Sequence, residues 1–482
     1  MNLIALIFFL LCTLAVIVVP RKWAPAALLV GCTYIPLSQG VEVASISLPI
    51  YRMLLIVGVF RVIAKGERLQ GGINLIDKLL VAWSCWTIFA SLFHDSDQYG
   101  FITACGSVFN LTLIYFLTRI WTSDLNQIRD VVAVVAFLLV PIAIEMLIEK
   151  ATGRNLFAVF GGVSEMVGVR EGKLRAQGPF LHAILAGTVG AACVPLFVGI
   201  FSVSRLVALV GVSAGIFITF ASASSGPVVT LMAGLGAVML WHFKQHMGRF
   251  RIAAVMTYLV LMVVMSRPPY FLIGEIDLSG GSTGWHRAEL IDCALGHLSE
   301  WWLFGTDHTK QWMPLMGGST DPNHTDITNY YIGMGVNAGL LSVLLVFAAL
   351  AIAFHWVGRV VTLTLDSDSR LAFTIWCFGS SLFAHLVTGI SVSYFDQSLV
   401  YYWLTVAVIS SSYSVIGMEP TLITQVENES DESHVYSVKL SEREMISLAN
   451  AEWRRAYRER CSLKSEAPLF GTKEATSPSR PS

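Results

Sequence analysis

The sequence predicts an all-α fold, a polytopic transmembrane helical bundle of about twelve to thirteen spans with one long extracytoplasmic loop. Three observations lead there. Of 482 residues, 55% are hydrophobic and only 13% charged, against about 25% charged in a soluble domain. The mean hydropathy is +0.64. The apolar residues fall in blocks of roughly 17–25, the length that crosses a bilayer as a helix. The net charge of -1 decides little, because charge placement along such a chain matters more than its sum.

The blocks run in order. Residues 2–20 have their basic residues, Arg21 and Lys22, behind the apolar stretch. A cleaved signal peptide has them in front, so this block is expected to stay as a helix. Residues 24–40 are the weakest block, interrupted by Gly31 and Pro36. Then come 47–63, 75–93, 102–118 and 130–148. Gly178-Pro179 marks a break before 181–202. The blocks 206–222, 227–243, 252–266, 327–355, 371–390 and 397–416 complete the set. Lys and Arg concentrate in alternate connections: Arg21 and Lys22, Arg61 to Arg68, Arg119 and Arg129, Arg205, Lys244 to Arg251, Arg359 and Arg370. The positive-inside rule makes those connections cytoplasmic. It places loops 149–180 and 267–325 on the opposite side and the C-terminus inside.

The transmembrane domain is expected to cover 1–418. From 419 the composition turns polar. Residues 440–461 read as an amphipathic helix opened by a Ser441–Glu444 capping box, suited to a membrane surface or to a solvated regulatory tail. The last residues have a disordered composition. Of eight Cys, six lie in apolar runs, where Cys acts as a small hydrophobe. Cys293 is alone in the long loop and Cys461 is in the tail. No Cys–His metal spacing occurs, and nothing implies a nucleic-acid partner.

Chemistry is expected in the loops. Residues 267–325 are too many for a simple connector and are rich in Trp, Gly, His and Asp. Within them, 285–302 is predicted as one amphipathic helix. Leu290, Ile291, Ala294, Leu295 and Leu298 form the apolar face, and Glu289, Asp292 and Glu300 the polar face. Arg287 falls near the middle of the apolar face. A guanidinium there needs an anion, because an unpaired buried charge is costly. Either a fixed carboxylate or a phosphate, gripped by the planar fork, meets that need. His324 lies where the loop re-enters the membrane, beside Asp321 and Asp326. Such a His acts as an acid, base or anion donor, or serves only as a polar residue at a helix start. In 169–187, Arg170, Arg175 and Gln177 approach the boundary, with His182 a turn further in. The SASSGP stretch (222–227) reads foremost as a close helix contact. Arg52, Lys78, Glu145 and His385 are ionisable groups in or near spans. Trp285, Trp301, Trp302 and Trp312 offer faces to sugar rings or anchor the interface.

Four stretches, taken in order, carry a resemblance. They are LRAQGPFLH, SASSGP, GWHRAEL with WWLFGTD, and HTDITNYYIGMGVNAGLL. Over about residues 130–400 the chain resembles the bacterial O-antigen polymerase and O-antigen ligase family of membrane glycosyltransferases, and the first stretch looks most like its exopolysaccharide branch. Thr325 stands where the family has Asn. The resemblance implies a GT-C-like enzyme of the bacterial inner membrane with its active site on the extracytoplasmic side. The implied donor is a polyprenyl-pyrophosphate-linked glycan, with no cofactor, nucleotide sugar or metal. Carried over by motif, His324 and Arg287 are the catalytic candidates. Arg175, Arg170, Gln177, His286 and Asp326 are the substrate-binding candidates. The expected activity is polymerisation of lipid-linked repeat units into an extracellular polysaccharide, with a chain-length regulator or secretion complex as a further partner. A ligase acting on a lipid acceptor is the nearest alternative and a glycolipid transporter the next.

Overall fold

The computed structural model describes residues 2–43, 46–94, 97–275, 284–313 and 325–430. The chain begins with α1 (Leu3–Val18), α2 (Ala24–Tyr34), a hairpin of β1 (Gly40–Val43) and β2 (Ile46–Pro49), and α3 (Ile50–Lys65). It continues with α4 (Leu75–Ala90), α5 (Asp97–Trp121), α6 (Leu125–Thr152) and a second hairpin of β3 (Gly168–Arg170) and β4 (Lys173–Arg175). Then follow α7 (Ala183–Gly199), α8 (Arg205–Ala221), α9 (Ser225–Met239) and α10 (Met247–Val264). The long loop holds α11 (Gly284–Gly296) and α12 (Leu298–Trp301), and the chain closes with α13 (Tyr330–Thr364), α14 (Ser369–Gly389) and α15 (Gln397–Ser430). Both hairpins are antiparallel pairs. The protein is thus an almost wholly helical polytopic bundle.

Among the described residues, seven helical segments are long and apolar enough to cross a membrane, and α1, α7 and α8 are shorter apolar helices. This differs from the expected span count for local reasons. α2 stops at Tyr34 before Pro36, and at about 1.5 Å per residue its 11 residues fall well short of a bilayer. β1 and β2 take up residues that were assigned to the ends of the flanking spans. The 225–264 stretch is one continuous helical segment, kinked at Phe243 (φ -108°, ψ 16°), where two spans were expected. α15 runs unbroken past the composition change at 419. The amphipathic reading of 440–461 lies outside the described residues.

α7 forms the centre of the bundle and is buried along nearly all its length. Its small residues allow this. A Cβ at Gly190 would sit 2.7 Å from the Gly215 carbonyl oxygen of α8, so the two backbones cross at closest approach. α14 and α15 flank it and are largely buried. α10 is the opposite case, with no buried residue. Burial of charge is matched by pairing. Arg119, 1% exposed, donates to Asp77, which is fully buried and also accepts from the Tyr115 hydroxyl at 2.7 Å.

The long loop is docked into a broken helix. α13 leaves helical geometry at Ala338 and Gly339 (φ +75°), which frees backbone groups that the rest of the fold captures. The Thr306 N–H donates to the Val336 carbonyl at 2.8 Å, and the Leu340 N–H donates to the Trp302 carbonyl at 2.8 Å. The Trp86 indole N–H of α4 donates to the Ala338 carbonyl at 2.7 Å. Phe304 stacks on Phe93 with ring centroids 4.0 Å apart. His94 completes the contact: its Nε2 donates to the Phe304 carbonyl at 2.9 Å, and its Nδ1 lies 2.7 Å from the Asp307 carboxylate. His94→Ala is expected to loosen this edge by about 1.5–3 kcal/mol, the worth of hydrogen bonds to a charged group. Faster proteolysis within 302–312, with the helical content unchanged, is the readout.

The helix expected over 285–302 is two helices, broken at His297. Its buried face is Gly284, Ala288, Leu290 and Ala294. Leu295, expected on that face, is 52% exposed. Trp301 and Trp312 are each 4% exposed and pack with Leu290, Ala294, Met313 and Val336 in a small core of the loop's own. They are therefore spent on the fold and present no face to a sugar, whereas Trp285 and Trp302 are exposed.

Candidate functional site

Arg170 and Arg175 stand on the second hairpin, which the alternating sequence VREGKLR builds around a two-residue turn. Glu171 and Gly172 both have positive φ, +50° and +73°, as a type I′ turn requires. Beyond the hairpin the chain is pinned at every step. Glu149, fully buried in α6, accepts the backbone N–H of Gln177 at 2.8 Å and of Gly178 at 2.6 Å. The Asn155 side-chain amide donates to the Gly178 carbonyl at 2.8 Å. Gln397 donates to the Pro179 carbonyl at 2.9 Å, and Asp396 accepts the Leu181 N–H at 3.1 Å. Glu149, Asn155, Asp396 and Gln397 are positioning residues that motif reading passed over. The signal in the sequence was their polarity at the ends of apolar blocks.

The SASSGP corner between α8 and α9 takes up the other side. Ala223 has φ +46°, a left-handed conformation that costs an L-residue energy and concentrates at functional sites. This bend sets Ser224, whose hydroxyl accepts from Arg175 Nη2 at 2.7 Å and donates to the Ser222 carbonyl at 3.0 Å. The corner is therefore both a close helix contact, with Gly187 of α7 against Ser222 and Pro227, and a support for Arg175.

Arg287 of α11 comes to the same place. It and Arg175 are half-buried, while Arg170 is exposed. Burial lowers the pKa of the Arg287 guanidinium, and the nearby charges of Arg170 and Arg175 lower it further. Burial and then Arg170 do the same to Arg175. No carboxylate among the described residues forms an ion pair with Arg287 or Arg175. The Nε atoms of both are buried without a hydrogen-bond partner among the described residues. Buried donors are nearly always satisfied, and cations crowded without counter-charge raise the free energy of the empty site. Both costs are offset when an anion with several acceptor oxygens binds.

The other expected site residues are placed as follows. Gln177 is half-buried beside Arg175 in sequence, held through its backbone. His286 precedes Arg287, with its ring 6.1 Å from that of Trp285. Asp326 is exposed. Thr325 is buried, its N–H donating to the Thr309 hydroxyl at 3.0 Å. His324 and Asp321 lie outside the described residues. Among the described residues no three His, Cys, Asp or Glu side chains are grouped to hold a metal. Three of the four ionisable groups noted in or near the spans have structural partners. Arg52 donates to Asn110 at 2.9 Å, Glu145 accepts the Leu156 N–H at 2.9 Å, and the fully buried His385 pairs with the Tyr394 hydroxyl at 2.9 Å. Lys78 is exposed.

No family model and no curated protein matches this chain. The site is thus read from its own chemistry. Arg175 and Arg287, from two loops more than a hundred residues apart in sequence, come near one another with Arg170 beside them, and neither Arg175 nor Arg287 forms an ion pair among the described residues.

Proposed function

We propose that the protein is a membrane glycosyltransferase that polymerises polyprenyl-pyrophosphate-linked oligosaccharide repeat units into an extracellular polysaccharide. The observation that carries the reading is the unpaired meeting of Arg175 and Arg287, with Arg170 beside them. Planar guanidinium groups are suited to bidentate contact with phosphate oxygens. A diphosphate supplies the charge and the acceptors that the site lacks. The motif resemblance supplies the rest: the GT-C-like enzyme class, the bacterial inner membrane, and an active site on the extracytoplasmic side.

In the proposed reaction an acceptor sugar hydroxyl attacks the anomeric carbon of the donor. The carbon–oxygen bond to the pyrophosphate breaks, and the electron pair leaves with the phosphate oxygen. Arg175 and Arg287 stabilise the charge that builds there, an electrostatic contribution set in place before reaction. His324 takes the hydroxyl proton, with Asp326 or Asp321 tuning it. Gln177 and His286 line the substrate beside the arginines, and the exposed Trp285 and Trp302 offer faces to sugar rings.

The test is turnover of lipid-linked repeat units by the purified protein without nucleotide sugar. A ladder of growing chain lengths is expected. A single acceptor-linked product would make the protein a ligase. Flux of intact substrate across vesicles, with no change in glycan length, would make it a transporter.

A further inference from the structure

The segment Leu75–Phe93, which is α4 and the short turn after it, has 19 residues. As a helix it is roughly 28 Å long, and the hydrocarbon core of a bilayer is about 30 Å thick. A crossing by this segment therefore keeps its last turns inside the bilayer, and Phe89, Leu92 and Phe93 there are apolar and exposed. α13 runs antiparallel beside it. The Trp83 indole N–H donates to the Ser342 hydroxyl at 2.8 Å, and Trp86 reaches the Ala338 carbonyl. The break at Ala338 and Gly339 is thus level with Trp86, roughly 10 Å along the helix from Phe93. The long loop follows α13 down to that level. The Thr306 N–H pairs with Val336 and the Trp302 carbonyl with the Leu340 N–H, so residues 302–305 lie deeper along α13 than Thr306, with the Leu303 carbonyl against Gly339. The Phe304 ring agrees with this depth. Its centroid is 4.0 Å from that of Phe93, 6.1 Å from Phe89 and 5.9 Å from Trp86.

Non-helical backbone survives at membrane depth only where protein partners satisfy its polar groups. This segment meets that condition. The Trp302 N–H donates to the Leu298 carbonyl at 2.9 Å and the Gly305 N–H to the Trp301 carbonyl at 3.2 Å. The Trp302 carbonyl accepts from Leu340, and the Phe304 carbonyl accepts from His94 Nε2. Leu303 is 43% exposed, and Leu341 and Leu344 of α13 are exposed on the same side of the break. Polar residues return on its shallow side, where Asn337 and His308 are exposed and Asp307 meets His94.

We propose that residues 302–305 are a re-entrant tip of the long loop, seated among lipid chains, with Leu303 and the edge of Phe304 in contact with them. The bilayer is the occupant because this apolar surface continues the exposed apolar sides of two membrane helices, α4 and α13. The gap in α13 then has a further purpose: it supplies the main-chain partners that the tip needs in a medium without water.

The experiment is hydroxyl-radical footprinting of the full-length wild-type protein, one copy per nanodisc of phosphatidylethanolamine and phosphatidylglycerol, read by mass spectrometry. Leu303 is compared with Leu295, a residue of the same loop with similar exposure in the protein itself, 43% against 52%. Leu303 is expected to be oxidised about tenfold less than Leu295 or lower still, because the radicals form in water and the hydrocarbon core holds none. A second measurement identifies what covers it. Leu303→p-benzoylphenylalanine, irradiated in the same nanodiscs, is expected to gain the mass of a lipid. Equal oxidation of Leu303 and Leu295 would overturn the proposal. Protection of Leu303 with crosslinks only to protein would overturn it as well, since another part of the chain would then cover the tip. No substrate takes part, so the outcome is independent of the glycosyltransferase reading.

Discussion

Arg287→Ala is expected to remove product formation by about a hundred- to a thousandfold, the loss typical when one preorganised charge-stabilising donor is taken away, while leaving the fold at least as stable. The second half of that expectation discriminates between roles. An arginine in a buried ion pair leaves an uncompensated carboxylate behind when it is removed, at about 3–5 kcal/mol. Arg287 has no described carboxylate and stands in the field of Arg170 and Arg175. Taking it away relieves repulsion. Thermal unfolding in detergent, measured beside turnover of lipid-linked glycan, reads both quantities. A fall in stability together with unchanged turnover would assign Arg287 to structure. Arg287→Lys keeps the charge and loses the planar fork, so it is expected to recover only part of the activity.

Gly339→Ala is expected to undock the long loop. The position has φ +75°, and a Cβ there would lie 1.9 Å from the Leu303 carbonyl oxygen. Backbone strain contributes about 1–3 kcal/mol and overpacking against fixed main chain about 1–3 kcal/mol more. No side-chain rotation relieves either, because the obstacle is a peptide group. The helical bundle should insert and retain its helical content. The segment 302–312 should become protease-sensitive, and activity should be lost with it, since α11 and Arg287 depend on the same docked loop. Gly358→Ala is the control: the same helix, with nothing within 4 Å of the added methyl, and no expected effect.

Hydrophobic blocks made α14 legible to within two residues and the starts of α6, α13 and α15 to within five, because a span must be long and apolar whatever it packs against, while α13 and α15 run on beyond their predicted ends. Arg287 was legible for a related reason. A charge on an apolar stripe is a local contradiction, and the structure places Arg287 half-buried, as that contradiction implies. What meets Arg287 was not legible, since no periodicity reports that α11 approaches the hairpin of Arg170 and Arg175. The hairpin was missed because each of its strands is three residues long, too short for alternation to stand out, and its turn uses Glu171 where Gly or Asn is usual. Trp301 and Trp312 carry the composition of a sugar platform, and only their neighbours reveal them as core. Gly335 has Trp301 packed against it, while Gly339 breaks the helix, and only the main chain of the loop explains the second.

The broken helix has a consequence for how the protein is made. The loop grips the chain just after α4, through Phe93 and His94, and α13, through Val336 and Leu340. One partner is synthesised early and the other late. During synthesis the loop is translated before α13 and waits, exposed, until that helix arrives with its gap. Contacts so distant in sequence form slowly, because the intervening chain must first be closed into a loop. The arginines therefore come together only near the end of assembly. A nascent chain halted before residue 340 would hold much of the bundle in the bilayer while its long loop still lacked the broken helix that receives it.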